Sequence, residues 1–401
     1  MGRIKMGVQE QQNASRVVVT AAEVVSSAGI GRDALLSVLK GNTCQGSPSG
    51  YSLDISVVAR LKDAIEDNSY FLDDRKSLLG IKAAELAWDA AGLEGEQSAV
   101  LGVFVGTGLS SITPAELNED IYPHLEDGRF NRKSMAEDLS PERSAPRRHL
   151  PHHFGAFLAK KYHAKTSGSN FSACAAASQA IASGFWAIRR GEIDRALVGG
   201  HDSMDHPMGL LSFSILGALS TSRCRPFDKD RDGFMLGEGA GFLVLESLDI
   251  ALERGATILA EIKGAGTSMD AWNPTAPHPK GEGAMKAMER ALKDAKLQPS
   301  DIGYVNAHGT GTPLGDQAES QAIYRLFGGN VPVSSIKGAI GHCIAAAGAV
   351  EAVACIGALK EGLLLGTTGL VEQDKNCPVL VLKETVEKQV SNVLSNSFGF
   401  G

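Results

Sequence analysis

Three side chains in this sequence stand at positions suited to covalent chemistry. Cys174 lies near the start of the stretch Ser169-Asn-Phe-Ser-Ala-Cys-Ala-Ala-Ala-Ser-Gln-Ala-Ile-Ala-Ser-Gly-Phe-Trp-Ala-Ile188, which carries no charge from Phe171 onward and is mostly Ala and Ser. Small side chains let neighbouring backbones approach a helix closely. A cysteine at the helix N-terminus faces unpaired N–H groups and the positive end of the dipole, which lowers the thiol pKa and favours a nucleophilic thiolate. The plainer alternative is a buried core cysteine. His308 stands in Val305-Asn-Ala-His308-Gly-Thr-Gly-Thr312, directly after an apolar strand pattern. His342 ends Ser335-Ile-Lys337-Gly-Ala-Ile-Gly-His342, just before a second Ala-rich helix. A lone histidine is usually structural, but a thiol with two imidazoles in glycine turns is a set for nucleophilic catalysis. His124, His149, His152 and His153 lie in a polar region and read as solvated.

The elements that must bring these groups together follow from periodicity. Residues 16–20, 99–105, 195–200 and 258–263 read as buried strands, 77–91 and 247–254 as helices, and 234–246 as paired strands. Residues 41–54 read as loop, and 109–153, with Pro114, Pro123, Pro141 and Pro146, as a surface excursion. The pattern then repeats. Ala83-Ala-Glu-Leu-Ala-Trp-Asp-Ala-Ala-Gly-Leu93 resembles Ala287-Met-Glu-Arg-Ala-Leu-Lys-Asp-Ala-Lys-Leu297, and each precedes a strand that ends in a glycine turn. Each half also has its own small-residue helix, at 174–190 and 344–359. A period of roughly 200 residues implies a duplicated domain rather than a solenoid. The expected organisation is a polar tail (1–15), a first α/β half carrying Cys174 (16–255) and a second carrying both histidines (256–401). Two such halves packed face to face, with the Ala-rich helices between them, give a five-layered α-β-α-β-α core in which Cys174, His308 and His342 face one pocket.

Composition narrows the function. With 43% hydrophobic and 21% charged residues the chain is an ordinary globular protein, and a net charge of −7 gives no electrostatic reason to expect nucleic acid or an anionic membrane. No signal peptide is visible in residues 1–15, and the run 171–188, with its Gln179 and repeated Ser, reads as a buried helix rather than a membrane span. The six cysteines show no paired spacing, so free thiols in the cytoplasm are expected.

Taken together, Ser172-Ala-Cys174-Ala, Asn306-Ala-His308-Gly-Thr-Gly-Thr312, Lys337-Gly-Ala-Ile-Gly-His342 and Asn396-Ser-Phe-Gly-Phe-Gly401 resemble the elongating β-ketoacyl-[acyl carrier protein] synthases, ketosynthases of the thiolase fold. The resemblance runs from about Ser15 to the C-terminus and includes Arg225-Pro-Phe-Asp-Lys-Asp-Arg-Asp-Gly-Phe-Met-Leu-Gly-Glu-Gly-Ala-Gly241 and Gly348-Ala-Val-Glu351. It implies a decarboxylative Claisen condensation: Cys174 holds an acyl chain as a thioester, and His308 and His342 donate Nε2–H groups to the enolate of a malonyl thioester. It further implies an oxyanion hole from the Cys174 and Phe400 N–H groups, with Phe400 as gate. Thr310 and Thr312 would contact the phosphopantetheine arm, and Lys337, Glu351 and Glu319 would orient the histidine loop. No metal or resident cofactor is implied, because phosphopantetheine arrives on the acyl carrier protein. A homodimer paired through residues 169–172 is implied, or a heterodimer with a ketosynthase-like subunit.

The sequence departs from the family pattern at Ser172, Ala176, Gly338, Ile340 and the pair His201-Asp202, which bears on substrate preference. It stops at Gly401, where the family continues with Gly-Thr-Asn and a final strand. Among rival readings, Gly29-Ile-Gly31-Arg-Asp-Ala34 matches a dinucleotide fingerprint but lacks its strand and acidic partner. A metal hydrolase lacks ligand spacing. A thiolase would have a second cysteine near the C-terminus, where Cys377 does not match. A chain-length factor would lack Cys174.

Overall fold

The computed structural model describes residues 15–41, 43, 51–54, 56–59, 74–96, 99–108, 117–138, 150–204 and 206–400. In chain order, the strands used below are β1 (Val17–Ser26), β2 (Leu101–Thr107), β3 (Thr166–Asn170), β4 (Arg195–Ser203), β5 (Glu238–Ser247), β6 (Ala260–Ile262), β7 (Tyr304–Asn306), β8 (Pro332–Ser334), β9 (Leu380–Val381) and β10 (Val393–Ser395). The helices are α1 (Arg75–Ala90), α2 (His153–Lys161), α3 (Ala176–Arg189), α4 (Pro207–Ile215), α5 (Glu282–Ala295), α6 (Pro313–Phe327) and α7 (Ala347–Glu361).

Two sheets form. The first runs β1-β5-β4-β2-β3, with β2 parallel to β3 and β4, while β5 is antiparallel to both β4 and β1. The second runs β9-β8-β7-β10 and is parallel throughout. β6, the first strand after residue 255, hydrogen-bonds to β1 of the first sheet (Val17 opposite Ile262).

The strand residues divide between cores with a period of two. On β5, Phe242 and Val244 pack with α1 and α2, whereas Leu243 and Leu245 pack toward α3 and α7. On β4, Leu197 faces outward and Ala196 and Val198 inward. On β7, Tyr304 joins the central core and Val305 joins a third core with Met288 and Leu292 of α5 and Ile323 of α6. Sheets buried on both faces explain why these strands read as continuous apolar runs rather than alternating ones. The layers are therefore α1/α2, first sheet, α3/α7, second sheet and α5/α6, the five-layered order expected.

Small residues make the central layer thin. A side chain on Gly348 of α7 would stand 2.0 Å from Ser178 Oγ on α3, so the two helices meet at backbone distance. The glycines of 234–246 have the same explanation, and there the expectation of paired strands is corrected. β5 is one strand, preceded by irregular backbone. A Cβ on Gly241 would lie 2.8 Å from the Ala349 carbonyl carbon, so glycine here admits a helix rather than making a turn.

Residues 109–116 and 139–149 of the excursion fall outside the described residues, as do residues 42 and 44–50 of the expected loop, including Cys44. Within 117–138 lie a short hairpin (Leu125–Glu126 with Arg129–Phe130) and the helix Arg132–Asp138. His124 is not solvated: it is buried, with Nδ1 2.8 Å from Ser134 Oγ. His149 is outside the described residues, His152 is exposed and His153 is half-buried at the start of α2. Among the described residues, no helix is long and apolar enough to cross a membrane.

Candidate active site

Cys174 sits in a tight elbow between β3 and α3. Ala173–Ala175 form one 3₁₀ turn, Ala173 takes φ +47°, and α3 begins at Ala176. The second half repeats the device: Ile344–Ala346 form a 3₁₀ turn, Ile344 takes φ +43°, and α7 begins at Ala347. Left-handed φ at residues bearing side chains is strained and persists only where packing enforces it. Superposing the elbows by sequence places Cys174 opposite Ala345.

The elbow of the first half and the turns of the second converge. Cys174 Sγ and a ring nitrogen from each of His308 and His342 all lie within 4.8 Å of one another, and all three residues are buried. The imidazole rings meet edge to face at 5.3 Å. Phe234 packs edge-on against His342 at 5.1 Å and Phe398 against His308 at 5.7 Å.

The surrounding hydrogen bonds fix the tautomers. Lys337 Nζ donates to the His308 carbonyl at 2.5 Å, lies 3.3 Å from His308 Nδ1 and pairs with Glu351, which uses its three protons. The Ile344 N–H points to His342 Nδ1 at 3.3 Å. With a donor on each Nδ1, the proton of each neutral ring resides on Nε2. Burial lowers both histidine pKa values well below the ordinary 6.5, and the Lys337 charge lowers them further, so both rings are neutral donors at physiological pH.

The histidine turns are held by buried carboxylates. Glu319 accepts the His308 and Gly309 N–H groups, each at 2.8 Å, and Asn396 Nδ2 at 3.0 Å. Asp316 accepts the Gly311 N–H at 3.0 Å and the Phe227 N–H at 2.7 Å, beside Arg231 at 3.7 Å. Burial raises all three carboxyls, Asp316 to about 6 and Glu351 to about 7, while Lys337 pulls Glu351 and Glu319 down. The structure thus joins Lys337, Glu351 and Glu319 to the site. The sequence reading missed Asp316, Asn396, Phe234 and Phe398. Asp316 had a signal, an acid in the first turn of a helix opened by Thr312-Pro.

The expected lowered thiol pKa is corrected. Complete burial pushes Cys174 up to about 12, with Lys337 only partly opposing this. The cationic group lies behind His308, and the neutral rings add no charge beside the sulfur. The resting residue is therefore a thiol.

Thr310 and Thr312 adjoin the site, with their hydroxyls 2.9 Å apart. The segment after β10 runs past the nucleophile: a Cβ on Gly399 would stand 2.9 Å from the Ser172 carbonyl and 3.5 Å from the Cys174 nitrogen. Phe400, next in the chain, is 43% exposed.

Two duplicated α/β halves with a cysteine elbow and two histidine turns define a thiolase-like condensing fold. The family models for the N-terminal and C-terminal domains of beta-ketoacyl synthase match residues 62–251 and 259–370, and the chain belongs to the β-ketoacyl synthase family. It is 41% identical over 244 residues to 3-oxoacyl-[acyl-carrier-protein] synthase 2 of Staphylococcus aureus, over 59% of this chain and 60% of that protein's length. The ishigamide ketosynthase/chain length factor structure is 32% identical with a TM-score of 0.83, covering 96% of both chains. A type II polyketide synthase ketosynthase, solved in complex with its acyl carrier protein, is 27% identical with a TM-score of 0.82, covering 96% of this chain and 97% of that one.

Proposed function

We propose that the chain is a β-ketoacyl synthase that extends an acyl group held on Cys174 with two carbons from malonyl-[acyl carrier protein], building a fatty-acid or polyketide chain. The observation that carries this reading is the buried trio of Cys174, His308 and His342, with both Nδ1 atoms engaged and both Nε2–H groups left to donate.

The steps balance. The Cys174 sulfur attacks the acyl carbon of the carrier thioester, and the new S–C bond forms as the C–S bond to the carrier breaks. The Cys174 proton passes to the departing carrier thiolate, so the resting thiol is consumed without net loss of a proton. A malonyl thioester then loses carbon dioxide. The electron pair of the broken C–C bond becomes an enolate whose oxygen takes hydrogen bonds from His308 and His342. The enolate carbon attacks the acyl carbon, the C–S bond to Cys174 breaks, and the released Cys174 thiolate takes one proton from solvent. The N–H groups of Cys174 and Phe400 receive the oxyanion of that adduct, a role supported by the backbone of Gly399 running beside Cys174. Phe400 acts as the gate. Thr310 and Thr312 contact the phosphopantetheine arm, and Lys337, Glu351 and Glu319 set the histidines. No resident metal or cofactor takes part.

The carrier protein is one partner. The other pairs at β3, the outermost strand of the first sheet, beside Phe171, which is 48% exposed. A second copy of the chain fits this edge. The likeness to a ketosynthase/chain length factor structure favours a heterodimer as the second reading. A cytoplasmic location fits the free cysteines 174, 224, 343, 355 and 377.

The test is product analysis. Supplied with acyl and malonyl carriers, the purified chain is expected to release one carbon dioxide per 3-oxoacyl carrier formed, at a rate unchanged by EDTA. Folded protein that produces neither, alone or with a chain-length-factor-like partner, would contradict the reading.

A further inference from the structure

Asp202 lies near the end of β4, fully buried, and β4 alternates there between two environments. His201 faces the outer layer, where its ring stacks on Phe154 at 3.8 Å and its Nδ1 meets the Lys76 carbonyl at 3.0 Å. Asp202 faces the central layer, toward the second elbow. Its Oδ2 accepts the Ala345 N–H at 3.0 Å and its Oδ1 accepts the Ser203 N–H at 2.9 Å. The fit is tight: a Cβ on Gly108 would lie 2.1 Å from Oδ2.

Two successive amides of this elbow therefore have separate tasks. The Ile344 N–H goes to His342 Nδ1 and sets its tautomer, and the Ala345 N–H goes to Asp202. Ala345 occupies the place in the second elbow that Cys174 occupies in the first. In the proposed mechanism the first elbow's amide receives a substrate oxygen, whereas in the second a carboxylate of the protein fills the corresponding place. Ala345 is fully buried, so loss of the carboxylate would strand its N–H away from any acceptor, and a shift of the turn to recover one would carry the adjoining Ile344 amide off His342.

We propose that Asp202 is a positioning residue for His342: by holding the Ala345 N–H from the opposite half, it keeps the Ile344 N–H on Nδ1 and the Nε2–H aimed at the substrate. The inference rests on the ketosynthase reading and concerns only the half-reaction that uses His342. A carboxylate that merely stabilised the fold would affect both half-reactions alike.

The experiment measures acyl loading of Cys174 and carbon dioxide release from malonyl carrier separately, beside the melting temperature. Asp202→Ala is expected to load acyl groups at close to the wild-type rate and to lose decarboxylation by about tenfold or more, the scale of a small misplacement at a reacting centre. Asp202→Asn keeps an oxygen for the Ala345 N–H, though a neutral and weaker acceptor, and is expected to recover decarboxylation to within about threefold of wild type. If Asp202→Ala does not fold, Asp202→Asn carries the test alone, with its modest loss confined to decarboxylation. Parallel loss of both half-reactions, or no loss in either, overturns the proposal. A wild-type chain inactive in both half-reactions instead overturns the ketosynthase reading, and this proposal with it.

Discussion

Cys174→Gln is expected to lose condensation by about a thousandfold or more while releasing carbon dioxide from malonyl carrier at or above the wild-type rate; removal of a covalent nucleophile has costs of that order. On the proposed reading the two half-reactions use different parts of the molecule, and Cys174, contributed by the first half, serves only to hold the acyl chain. On that reading the enolate would be stabilised by His308 and His342, whose protons are set by Lys337 and the Ile344 amide without any contribution from the sulfur. A glutamine carbonyl at this position imitates the acylated residue among Phe234, Met204 and Ile344. Carbon dioxide release measured beside condensation distinguishes the outcomes. A folded Cys174→Gln protein that no longer decarboxylates would show that the sulfur takes part in both steps.

The mirror-image result is expected for His342→Ala. This variant should still accept an acyl group on Cys174 and should lose decarboxylation by about a hundredfold or more, the usual cost of one oxyanion donor. The turn at His342 is held by backbone bonds, His342 N–H to the Met235 carbonyl at 2.9 Å and the Gly237 N–H to the His342 carbonyl at 3.0 Å, so truncation removes the donor and leaves the turn. Because burial keeps both rings neutral, acidification toward pH 5.5 is not expected to supply a charged substitute in the remaining His308. Decarboxylation at the wild-type rate in His342→Ala would contradict the division of labour.

The architecture was legible because its signals are local. Apolar runs marked the doubly buried strands, and the matching helices at 83–93 and 287–297 marked the duplication. The Ala and Ser run after Cys174 marked a helix that must be approached closely, as Gly348 against Ser178 demonstrates. The convergence of Cys174, His308 and His342 was legible through their turns. What stayed hidden depends on distant partners. The glycines of β5 resembled turn glycines because nothing near them announces α7. Asp316 and Asp202 accept N–H groups from distant segments, Phe227 and Ala345, and Asn396 donates to the Glu319 carboxylate; helix-start placement hinted at Asp316, and no spacing rule exposes the other two. The thiol illustrates competing effects: the helix N-terminus was visible in the sequence, but the burial that raises the pKa to about 12 is a property of the assembled halves.

The central claim is that Cys174 carries the acyl chain. Intact-mass analysis after incubation with acyl carrier, followed by peptide mapping, tests it most directly. One acyl group per chain is expected, on the peptide containing Cys174 and absent from those containing Cys224, Cys343, Cys355 and Cys377. An active enzyme whose acyl group maps to any other residue, or that condenses without ever becoming acylated, would contradict it.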